Sequence, residues 1–120
     1  MYFSGYSEVK DSKDRSGFCR RVNWNNTYLN PPRCYKDSYS NLGSCEEFCT
    51  ALSSCVSYHY QDHPQNGKIH CNLITSDKDT KCPSGWNFKD KHNAIVQTAN
   101  DLVAIPSTIN RCYKKISGEK

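Results

Sequence analysis

Two adjoining stretches decide the fold: Ser44-Cys45-Glu46-Glu47-Phe48-Cys49, running on to Leu52, and Cys55-Val56-Ser57-Tyr58-His59-Tyr60 directly behind it. Cys45, Phe48, Cys49 and Leu52 stand at i, i+3, i+4 and i+7, the spacing that lines up one face of a helix. Ser44 followed three residues later by Glu47 fits a capping box, and Glu46 and Glu47 would then lie in a first turn that favours acids. The spacing predicts a helix over about residues 45–53 with two cysteines on its buried stripe. Past Ser53-Ser54, the β-branched and aromatic residues of 55–60 alternate, the period of a strand with one face buried.

Ile69-His70-Cys71-Asn72-Leu73 alternates in the same way. Between the two runs lies 61–67, with Pro64 and Asn66-Gly67 as breakers, so the pair reads as a hairpin with an elaborated loop. Further strands are expected over 18–24, 94–98, 102–105 and 111–116. One helix among antiparallel strands is an α+β arrangement, the helix laid across the sheet. Cys49 and Cys55 are six apart across a helix-to-strand reversal, close enough to bond. Cys45, one turn earlier on the same stripe, then reaches Cys71 on the second arm of the hairpin. Roughly a hundred pairings of eight cysteines exist, and spacing alone does not choose among them. Each such link is worth roughly 3 kcal/mol by loop-closure entropy.

The chain has 120 residues, one domain's worth, with 36% hydrophobic residues against roughly 45–50% in ordinary globular chains. Ordering a residue costs on the order of 1.5 kcal/mol of conformational entropy, so a core this thin needs covalent help. The 8 cysteines supply it. An even, dense set points to an oxidising compartment and a secreted, extracellular protein. No apolar run is long enough to span a membrane. The first eight residues lack the basic and apolar regions of a secretory signal, which implies that the signal has been removed. Asn25-Asn26-Thr27 is a glycosylation sequon on Asn25. Net charge is +4, with bases concentrated at both ends and Asp37, Glu46, Glu47 and Asp62 in a middle segment free of bases. Residues 1–15 balance three acids against three bases with little apolar periodicity, so 1–16 is expected to be a flexible arm. The domain would be 17–116, with 117–120 a tail.

The cysteine block resembles the PAN/apple family: a helix with Cys45-x₃-Cys49, then Cys55-x-x-Tyr58-x-Tyr60, then Cys71-x-Leu73. The resemblance implies a single helix packed on a curved antiparallel sheet and stapled by disulfides. It repeats the pairs Cys45 with Cys71 and Cys49 with Cys55, and ties the first strand to the last through Cys19 and Cys112. Cys34 and Cys82 have no counterpart in that pattern and are paired by elimination. Family members act by binding proteins or carbohydrates.

Catalytic signatures are missing from the sequence: no nucleophile elbow, no phosphate-binding glycine loop, and no cysteine expected to remain a thiol. The protein is therefore read as non-enzymatic. His59 and His63 are four apart, but they straddle a strand end and a Pro-containing loop. They are read as a strand-surface and a solvated histidine rather than metal ligands, and no cofactor is implied. Cys82-Pro83-Ser84-Gly85-Trp86 reads as a turn followed by a packed tryptophan. The functional lead is basic. With Cys19 bonded to Cys112, Arg20, Arg21, Arg111, Lys114 and Lys115 would converge on neighbouring strands, divided between faces by alternation. Such a patch suits a sulfated or otherwise acidic polysaccharide, or an acidic protein surface. Two alternatives are a secreted toxin or protease inhibitor acting through loop 61–68 or 75–86, and a structural protein of the extracellular matrix. Nucleic acid is disfavoured because the aromatics form no stacking platform. The oligomeric state is open.

Overall fold

The computed structural model describes residues 5–22, 28–39, 42–61, 69–77, 80–90, 102–107 and 110–116. In chain order its elements are β1 Tyr6–Val9, β2 Gly17–Val22, β3 Tyr28–Leu29, β4 Arg33–Tyr39, α1 Leu42–Ala51, β5 Cys55–Gln61, β6 Ile69–Thr75, β7 Asn87–Lys89, β8 Leu102–Pro106 and β9 Asn110–Lys115. Six strands form one sheet in the order β1-β9-β5-β6-β4-β7, and three form a second in the order β3-β2-β8. Every pairing is antiparallel. Among the described residues the architecture is thus mostly antiparallel sheet with one helix, an α+β fold. The second sheet is an addition to the single sheet expected.

The larger sheet is covered on both faces. Toward α1, the alternation of β5 and β6 presents Tyr58, Tyr60, Cys71 and Leu73, which pack with Cys45, Cys49, Cys55, Cys34 and Trp86. Tyr58, Tyr60 and Tyr113 stack on this face, with centroids 5.4–6.2 Å apart. The Tyr58 hydroxyl donates to Glu46 Oε1 at 2.9 Å, fastening the helix to β5. Toward the second sheet, Ile74 packs with Cys19, Cys112 and Leu102, with Val9 and Val56 at the margin. The result is three layers: helix, large sheet, small sheet.

Four disulfides hold these layers: Cys19–Cys112, Cys34–Cys82, Cys45–Cys71 and Cys49–Cys55. These are the couples named from the sequence. Cys45–Cys71 and Cys49–Cys55 pin α1 to β6 and to the start of β5, and Cys34–Cys82 fastens the loop after β6 to β4. Cys19–Cys112 crosses between the sheets and joins β2 to β9.

Two expectations change. The helix begins at Leu42, which puts Ser44 inside it and Glu46 and Glu47 beyond the first turn, so the capping box does not start it. Its other end is closed by Lys115, whose ammonium donates to the carbonyls of Cys49 at 2.8 Å and Leu52 at 3.4 Å, where the helix dipole favours a cation. Residues 5–16, expected to belong to an arm, are built into the fold. Tyr6–Val9 extends the large sheet on β9, and Tyr6 meets Tyr58 edge-on at 5.2 Å. Behind it Asp11 closes a turn by accepting from the backbone N–H of Lys13 and Arg15 and from the Arg15 side chain. These partners are distant in sequence or purely polar, so no apolar periodicity announces them. The strand expected over 94–98 lies outside the described residues. Trp86 is buried behind a turn in which its N–H donates to the Pro83 carbonyl at 3.0 Å and Gly85 takes φ +86°, the turn with a packed tryptophan read from the sequence.

Candidate functional site: a basic cleft between the sheets

The small sheet is narrower than the sheet it covers. Strand β2 lies against β9 and β5, and β6, β4 and β7 continue past it. Registers place Cys112, His59, Asn72, Tyr35 and Asn87 in one row across β9, β5, β6, β4 and β7. The row beside it runs Lys114, Ser57, Ile74, Arg33 and Lys89. Because side chains opposite one another in a ladder share a face, both rows look toward the small sheet. Where that sheet stops, a cleft of about 370 Å³ opens, lined by Phe18 and Arg20 of β2, Arg33 of β4, His59 of β5, His70 and Asn72 of β6, and Asn110 of β9.

The lining is cationic and rich in donors. None of its described residues is an acid. Arg20 lies over the Phe18 ring, guanidinium carbon 4.7 Å from the centroid, and donates to the Cys19 carbonyl at 2.8 Å. Burial and the neighbouring Arg33 charge lower its pKa to about 10, which leaves it charged at neutral pH. Phe18 also meets His59 edge-on at 5.4 Å. His59 forms the cleft floor and is 7% exposed, not a strand-surface residue, because the small sheet covers it. Burial first, then the charges of Arg20 and Arg33, push its pKa down to about 3, so it is a neutral imidazole in ordinary buffers. On the outer side, Arg33 and Lys89 approach the Tyr35 ring at 6.0 and 5.8 Å, extending the cationic surface toward β7.

A second, shallower concavity of about 510 Å³ is lined by Arg15, Ser16, Pro106, Ser107 and Arg111. Here Arg15 Nε donates to Asp11 Oδ2 at 2.8 Å, so part of its charge is met within the fold.

The five basic residues singled out in the sequence do not come together. Arg20 and Arg21 belong to the small sheet and Arg111, Lys114 and Lys115 to the large one, so the Cys19–Cys112 bond links layers rather than adjacent strands. Arg20 lines the cleft and Arg111 the second concavity. Arg21 stands opposite Leu29 and Leu102 in the small sheet. Lys114 is opposite Ser57, and Lys115 is bound to the end of α1. Arg33, His70, Asn72 and Asn110 were not singled out. The only local sign of His70 and Asn72 is their i, i+2 spacing in β6, and nothing local relates them to Arg20. His63 and Asn25 lie outside the described residues, as does loop 62–68. Among the described residues no three metal-ligating side chains cluster, and no helix is long and apolar enough to cross a membrane.

No family model matches the chain, and comparisons with curated proteins and with solved structures return no match.

Proposed function

We propose that this is a secreted, PAN/apple-like, non-enzymatic module that binds an anionic extracellular polysaccharide of the glycosaminoglycan kind. The observation that carries the reading is the cleft itself: Arg20 and Arg33 beside His70, Asn72 and Asn110, with no acid among the described lining residues. Two guanidiniums supply charge and forked donors for sulfate or carboxylate oxygens, and the amides add neutral donors that fix orientation. Half-buried arginines are less screened than exposed ones, so each contributes more than a solvated surface cation. The chemistry favours binding over catalysis. A histidine with a pKa near 3 is a very weak base, poorly matched to proton transfer near neutral pH. The four disulfides favour an extracellular setting.

Heparin chromatography of the disulfide-bonded chain tests the reading. Retention at low ionic strength, elution by moderate salt, and earlier elution of Arg20→Gln and Arg33→Gln support it. Flow-through of the unmodified chain at low ionic strength refutes it. A second reading, a rigid inhibitory loop, draws on the segment after β6. Ser76 N–H donates to the Ser54 carbonyl at 2.9 Å, Thr80 Oγ1 meets Ser54 Oγ at 3.0 Å, and Cys82 is bonded to Cys34. Ser76, Thr80 and Cys82, held in this way, have little entropy left to lose on binding a protein target.

A further inference from the structure

The cleft and the second concavity adjoin. Ser16 lines one and Phe18 the other, two residues apart on the same side of the chain as it enters β2. Ser107 lines one and Asn110 the other, and the Ser107 hydroxyl accepts from Asn110 N–H at 3.2 Å and Asn110 Nδ2 at 3.1 Å. Along this seam the backbone at Gly17 runs so close to β8 that a Cβ there would collide with the Ile105 carbonyl oxygen. We infer that the two concavities form one track for a linear polyanion, with one anionic group held in the cleft by Arg20, Arg33 and Asn72, and the next held by Arg111 and Arg15 beside the Ser16 and Ser107 hydroxyls.

This rests on the anion-binding reading above and narrows it to a chain carrying at least two closely spaced sulfo groups. Occupying both subsites with one ligand makes the second contact intramolecular, so affinity rises steeply with ligand length. Arginine forks donate to a sulfo group from several directions, and the Ser107 hydroxyl and the side-chain amides add neutral donors to its oxygens. Asp11, which holds Arg15, and Glu8, which accepts from the Ser16 hydroxyl, are carboxylates in contact with lining residues of the outer subsite, and they weaken it relative to the cleft.

Isothermal titration of the full disulfide-bonded chain with inorganic sulfate, a monosulfated monosaccharide and a size-defined heparin hexasaccharide decides the matter. The hexasaccharide is expected to bind about 100-fold more tightly than either single anion. Arg33→Gln and Arg111→Gln should each weaken it about tenfold, and Arg33→Lys and Arg111→Lys should recover part of the loss. Amide spectra of each variant separate loss of binding from loss of fold. If Arg33→Gln weakens the hexasaccharide while Arg111→Gln changes nothing, the track is overturned and the cleft reading stands. If the hexasaccharide gains nothing over single sulfate, the track is overturned likewise. If none of the probes binds at low ionic strength, both fall. An oligoglutamate of equal charge binding as tightly as the hexasaccharide would overturn the sulfo-group assignment in favour of an acidic protein surface.

Discussion

Acidification should destabilise the protein through one residue. His59 is 7% exposed, its Nδ1 lacks a hydrogen-bond partner, and Arg20 and Arg33 disfavour its charged form, while a bond with Asn110 partly offsets them. Its pKa is about 3 in the fold against 6.5 for a free imidazole. A depressed histidine pKa means that the unfolded chain binds a proton the native state refuses. Stability is therefore full above about pH 6.5 and falls as the pH drops from there toward 3. At pH 4 the unfolded imidazole is two and a half units below its pKa and the native one remains neutral. At about 1.4 kcal/mol per unit this costs about 3 kcal/mol relative to pH 7. In a domain of this size that lowers the melting temperature by roughly 10 °C. His59→Gln removes the titration and keeps a polar group of similar length. Guanidinium unfolding of both proteins at pH 7 and pH 4, disulfides intact, isolates the effect, because every other carboxylate and imidazole is common to the pair. The unmodified protein should lose about 3 kcal/mol more than the variant. Equal losses would show that the imidazole is already solvated in the fold, and the covering of the cleft floor by the small sheet would be wrong.

Two further perturbations address the layers themselves. Replacing Cys19 and Cys112 together by serine removes the covalent link between the sheets, which spans 93 residues and is worth roughly 4 to 5 kcal/mol by loop entropy before the other bridges reduce it. The helical circular dichroism signal should survive at low temperature while heparin retention falls, and retention unchanged in a folded variant would place binding away from the cleft. Gly17→Ala should destabilise by more than an ordinary strand substitution, about 3 kcal/mol or more, because the backbone of β8 must move to admit a methyl group. Hydrogen exchange should show the loss concentrated in β2 and β8, and a fully protected β2–β8 ladder would contradict the close approach.

Local sequence determined the helix-bearing half of this protein. The stripe Cys45, Phe48, Cys49, Leu52 and the alternation of 55–60 and 69–73 name their own buried faces, since helix and strand periods are properties of neighbouring residues. Cys49–Cys55 follows from the same short range. Tertiary structure alone decided the rest. Strand β4 carries charges along its length and sits behind Pro31-Pro32, and it becomes an interior strand only because β6 and β7 flank it. Tyr6–Val9 becomes a strand because β9 offers it a ladder. The cleft gathers Phe18, Arg20, Arg33, His59, His70, Asn72 and Asn110 from five strands. Alternation settles which side chains share a face within a strand, but not which strands become neighbours or where a second sheet ends. That boundary leaves two arginines together over a buried histidine, and only the packing of distant segments can draw it.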